Sequence, residues 1–143
     1  MYVVEMAQPS DPKCPGPPSF LPVESAIIND VQQMMVSPEM EQLRRASGEG
    51  VSLMVRMGGR FIQYEPSLPA SGMTLFGEGG FVLGPEAFVS EAELIRTCLH
   101  ELYRLATSQV GRGAAASRTL TEAETQAAFR FAQRAYDAYF GER

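Results

Sequence analysis

The chain has 143 residues, 45% of them hydrophobic and 20% charged, which is the size and balance of one globular domain built around a single core. No apolar run approaches the roughly 18–20 residues that span a bilayer, and the opening Met1–Met6 has neither the basic flank nor the apolar stretch of a signal peptide. A formal net charge of −5 argues against wrapping of duplex nucleic acid, because displacing counterions from phosphate needs a basic excess.

The positive charge is nonetheless of one kind. All of the 12 basic residues except Lys13 are arginines. Several fall on helical patterns, which leaves local phosphate binding open.

Residues 8–22 carry proline too densely for regular helix or sheet. They predict a linker or extended strap over 1–22, ahead of a single α+β domain over 23–143. From there, Ile27, Ile28, Val31, Met34 and Met35 recur at helical spacing after Glu24 and Ser25. Ser37-Pro38 breaks that helix, and Pro38 suits the first turn of a second one ending near Arg45.

Val51–Arg56 and Arg60–Tyr64 are strand-like and flank Met57-Gly58-Gly59, a hairpin turn. Gly72–Phe76 and Gly80–Leu83 repeat the pattern around Gly77-Glu78-Gly79. The expectation is a small antiparallel sheet of two hairpins. Neither glycine-rich turn is a phosphate loop, since GxxxxGK[ST] does not occur and no helix follows directly.

Two C-terminal helices complete the expected fold. Ser90-Glu91-Ala92-Glu93 has capping-box spacing, in which the serine oxygen accepts from the third backbone amide and the glutamate reaches back. That helix runs to about Ser108, and Gly111 and Gly113 end it in a small-residue loop. Thr121–Glu124 opens the last helix in the same way, and it runs to about Phe140.

The two cysteines, Cys14 and Cys98, form no CxxC pair. Cys98 falls inside an apolar helical pattern and reads as a small buried hydrophobe. His100, the one histidine, lies two residues further on. At that spacing the two side chains diverge, so a thiol–imidazole pair is not expected.

The helix over 91–108 carries the residues best suited to chemistry. Leu94, Ile95, Cys98, Leu99, Leu102 and Leu105 form an apolar face, while Arg96, His100, Arg104 and Ser108 follow four apart along another. Thr97, Glu101 and Thr107 flank that line.

An imidazole can move protons near neutral pH. Guanidinium groups can hold an oxyanion and keep a neighbouring imidazole neutral. This equipment suits attack on a phosphodiester by a ribose 2′-hydroxyl without a metal. It is equally compatible with nucleotide binding or with an ordinary solvated helix face. On the last helix, Glu122, Thr125, Phe129, Arg130 and Gln133 recur near helical spacing, and Glu122, Thr125 or Arg130 would reach the stripe if the helices pack side by side.

Leu94–Leu105, with His100-Glu101 at its centre, resembles the active helix of zincin-like metallohydrolases, whose HExxH motif puts two histidine ligands one turn apart around a glutamate base. That resemblance implies His100 as a zinc ligand, Glu101 as the base and Glu122 or Glu124 as a third ligand. Arg104 stands where the second histidine belongs, so zinc is the alternative to an expectation of no cofactor.

More broadly, Phe81–Phe88, His100–Arg104 and Thr121–Thr125 resemble the C-terminal toxin domains of bacterial polymorphic toxins of the contact-dependent inhibition and Rhs types. This implies an effector delivered by a secretion system into the cytoplasm of a target cell, neutralised by a cognate immunity protein, and acting on RNA. His100, Glu101 and Arg104 would be catalytic. Arg96, Thr97, Thr107, Ser108, Glu122 and Thr125 would bind substrate. The alternatives are a non-enzymatic zincin-like binding domain and a metal-dependent hydrolase.

Overall fold

A computed structural model describes residues 19–75, 78–108 and 118–141. Helix α1 (Pro22–Met35) opens with proline in its first turn, and the Glu24 carboxylate accepts from the Leu21 N–H at 2.8 Å. Ser37 then separates it from α2 (Pro38–Glu49). The Ser37 hydroxyl accepts from the Met40 N–H at 3.1 Å and donates to the Met34 carbonyl at 2.8 Å, so one side chain ends the first helix and caps the second.

α2 runs beyond Arg45, buries Ala46 and closes on Gly50 at φ +70°. The Gly50 and Val51 amides bond back to the Ser47 and Ala46 carbonyls, a Schellman closure that needs the left-handed conformation glycine tolerates.

Four strands follow: β1 (Leu53–Met57), β2 (Arg60–Tyr64), β3 (Gly72–Leu75) and β4 (Gly80–Leu83). Gly58 and Gly59 both have positive φ, as a two-residue type I′ turn requires. Both expected hairpins form, but the sheet is mixed rather than antiparallel. Its order is β1-β2-β4-β3, and the hairpins join through parallel pairing of β2 with β4, in register from Phe61 opposite Gly80 to Tyr64 opposite Leu83.

The physical reason lies in β4. Its four residues are all buried, whereas β3 carries the exposed Met73. A short apolar strand gains most from an interior position, so the chain crosses to the far edge through 65–71, lays down β3 there and returns along β4.

A 3-10 turn (Pro85–Phe88) leads into α3 (Glu91–Thr107), and α4 (Arg118–Tyr139) completes the described chain. α4 starts three residues before Thr121, so Thr121–Glu124 lies inside the helix rather than at its cap. Gly111, Gly113 and Cys14 lie outside the described residues.

One face of the sheet packs on α2 and α3 through Val55, Ile62, Phe81, Leu83, Leu43 and Leu99, α1 packs on α3 with Val31 in the same core, and α4 packs on α3 through Phe131, Ala132 and Ala135. Cys98 is a free thiol in this core, and burial holds it protonated. Phe20, just ahead of α1, sets its ring against Phe131 and Tyr139, so the chain before Pro22 already contributes to packing. No helix among the described residues is long and apolar enough to cross a membrane.

Candidate active site

α3 is amphipathic, and its apolar side fixes which way the rest of it points. With Leu94, Cys98, Leu99 and Leu102 driven into the core, the opposite side faces two neighbours, β3 on one flank and α4 on the other. A cavity of about 330 Å³ lies between them, lined along α3 by Glu93, Arg96, Thr97, His100 and Glu101, by Ala70, Ser71 and Gly72 from the start of β3, and by Phe129, Ala132 and Gln133 from α4.

Ser90 caps α3 by accepting from the Glu93 N–H at 3.0 Å. The Glu93 carboxylate turns into the cavity, where Ser71 donates to it at 3.2 Å, Arg96 at 3.3 Å and Thr97 at 3.5 Å. The Arg96 guanidinium also lies over the Tyr136 ring at 5.0 Å.

β3 approaches α3 closely because residue 72 is glycine. A Cβ there would stand 2.8 Å from Glu101 Oε2 and 2.9 Å from Thr97 Cγ2. This approach brings the Thr74 hydroxyl to donate to the buried Glu101 carboxylate. Burial raises the Glu101 pKa, partly opposed by the Thr74 hydrogen bond and the charge of Arg104.

His100 is half-buried, with its ring 4.2 Å from that of Phe129. Burial, reinforced by the positive charge of Arg104, lowers its pKa to about 4, with the Ala128 carbonyl pulling the other way. At neutral pH it is therefore an uncharged imidazole. Its Nδ1 is buried and has no hydrogen-bond partner among the described residues.

The expected four-residue stripe does not act as a single line. Steps of four residues advance about 40° around a helix, so Arg96 and Ser108 point about 120° apart. Arg96, Thr97, His100 and Glu101 line the cavity. Arg104 turns to α4 and donates to Thr125, and the buried Ser108 donates to Glu124 at 2.7 Å.

Thr107 bonds back to the Tyr103 carbonyl at 2.8 Å, and Glu122 is exposed; neither lines the cavity. The imidazole of His100 and the guanidinium of Arg104 are electrostatic neighbours, but the guanidinium that shares the cavity with His100 is that of Arg96.

Sequence spacing passed over Ser71, Thr74 and the cavity role of Glu93. The first two reach α3 only through tertiary packing and carry no local signal. Glu93 did carry one, but its capping-box position offered a sufficient explanation.

The zinc ligands implied by the HExxH resemblance do not converge. Glu124 accepts from Ser108, Glu122 points to solvent, and no three histidine, cysteine or acidic side chains cluster among the described residues. Comparison with protein-family models, curated proteins and solved structures finds no match to this chain.

Proposed function

We propose that this domain cleaves RNA by general acid–base catalysis in the α3–α4 cavity, as the toxin domain of a bacterial effector. The observation that carries this reading is a neutral, partly desolvated imidazole opening into the same hollow as a guanidinium and two carboxyl groups. The neutral His100 accepts the proton of a ribose 2′-hydroxyl. The freed oxygen attacks the adjacent phosphorus, the bond to the 5′-oxygen breaks, and a 2′,3′-cyclic phosphate forms. Glu101, whose burial favours its protonated form, returns a proton to the leaving 5′-oxygen.

A pKa of about 4 makes His100 a weak base in the free protein. An anionic phosphodiester beside it favours the imidazolium and pulls the value back toward the working pH, so the substrate completes the base that acts on it. Arg96 is the guanidinium that lines this cavity, and Arg104 acts on His100 through its field.

By resemblance to polymorphic toxins, the domain is delivered by a secretion system into a target bacterium and restrained by an immunity protein. Total RNA incubated with the purified domain in EDTA tests the enzymatic claim. Cleavage is expected, with a loss of about a hundredfold or more in His100→Ala, the usual share of a general base. Intact RNA, or equal cleavage by the variant, would reject it.

A further inference from the structure

We infer that the cavity selects guanine, with Arg96 and Glu93 reading its Watson–Crick edge; this rests on the ribonuclease reading of the same site. Arg96 donates to Glu93 Oε1 at 3.3 Å, so the two side chains stand next to each other at the cavity wall. Together they present a donor followed by two acceptors: an N–H of the guanidinium fork, then the two carboxylate oxygens.

Guanine offers the complement of that row, an acceptor at O6 followed by donors at N1 and N2. Adenine sets its N1 acceptor and cytosine its N3 and O2 acceptors against the carboxylate, each with an amino donor against the guanidinium, and uracil sets its O2. Single-stranded RNA is recognised in this way, through the edges of unstacked bases.

The distances along α3 support the same assignment. Glu93 and His100 are seven residues apart, about 10 Å along the helix axis at roughly 1.5 Å per residue. A nucleotide spans a comparable length from its base edge to its 3′-phosphate, with the 2′-oxygen lying nearer the base. The two side chains open into one hollow of about 330 Å³, at the small end of the roughly 300–1,000 Å³ typical of ligand pockets and suited to a single nucleotide.

Glu93 and Arg96 also have room for a guest. Their side chains keep 32% and 34% of their surface exposed, and the Ser71 and Thr97 hydroxyls that bond Glu93 Oε2 at 3.2 and 3.5 Å hold the carboxylate in place. The exposed ring of Phe129, tilted 37° to that of His100 at 4.2 Å between centroids, walls the phosphate end.

The test uses four end-labelled oligoribonucleotides that differ only in the base on the 5′ side of one susceptible bond. Wild type should cut after guanine about tenfold or more faster than after any other base, the discrimination expected of one good bidentate contact. Glu93→Gln replaces an acceptor with a donor and should erase that preference while RNA is still cut. If Glu93→Gln does not fold, Arg96→Lys, which keeps the charge but loses the fork, takes its place with the same expectation.

Cleavage without base preference, or a guanine preference that survives these substitutions, overturns the inference and leaves the ribonuclease reading intact. If wild type cuts no RNA, that reading fails, and titration with guanosine and adenosine 3′-monophosphates decides base recognition by itself. Tighter binding of the guanosine form that is lost in Glu93→Gln sustains it. Equal binding, or none, overturns it.

Discussion

His100 couples stability to pH because its ring is neutral in the fold and free to protonate in the unfolded chain. Its folded value of about 4 lies below the ordinary histidine value of 6.5, so between those values the unfolded state binds more protons. Stability is therefore fully present above about pH 6.5 and is lost as the pH falls toward 4. With partial solvent screening the loss is on the order of 2 kcal/mol. Glu101 works in the opposite direction, since its raised pKa lets the folded state take up a proton first. Urea unfolding between pH 4 and 7 should show a net decline that His100→Phe, which keeps a ring against Phe129, flattens. Gly72→Ala puts a methyl group against Glu101 and Thr97, and a drop of about 1–3 kcal/mol in the same assay is expected from overpacking. At this scale the sequence made His100, Glu101, Arg96 and Thr97 visible, because spacing along one helix is a local property. Gly72, Ser71 and Thr74 were not visible, because their meaning depends on β3 arriving beside α3.

The two C-terminal helices run antiparallel and are tied together near the C-terminal end of α3 by Arg104 with Thr125 and Ser108 with Glu124. Replacing Thr125 with valine keeps the shape but removes an acceptor from a buried guanidinium. A cost of about 1–3 kcal/mol is expected, read as a lower urea midpoint at unchanged m-value. Ser37→Ala should cost about 1 kcal/mol through the lost cap of α2 and leave RNA cleavage unchanged, because Ser37 is remote from the α3–α4 cavity. The break at Ser37-Pro38, the glycine turn at 58–59 and the Ser90 cap were legible from local rules. The start of α4 was not, because Thr121–Glu124 matches a cap by spacing while the helix begins at Arg118. Arg104 and Ser108 join the stripe by a related local rule: helical spacing reports a shared face over two turns, but over the little more than three turns from Arg96 to Ser108 its drift turns the far end to α4, where Thr125 meets it.

At the scale of the molecule, the mixed sheet and the cavity have a common origin. Placing the wholly buried β4 inside the sheet sends β3 to the edge, and that edge is what closes one side of the hollow against α3. Two hairpins can be read from glycine turns and alternating residues, whereas the order in which they join depends on which strand gains more from burial on both faces. Arg96 is the guanidinium that lines the cavity, so Arg96→Ala should weaken substrate capture about tenfold or more, read as kcat/KM against an oligoribonucleotide. Because His100 is the one histidine in the chain, its imidazole gives a single proton resonance that can be followed by NMR from pH 3 to 8. A midpoint near 4 is expected in the free protein, with a clear upward move when guanosine 3′-monophosphate is bound. A midpoint near 6.5 that the nucleotide leaves unchanged would contradict that expectation.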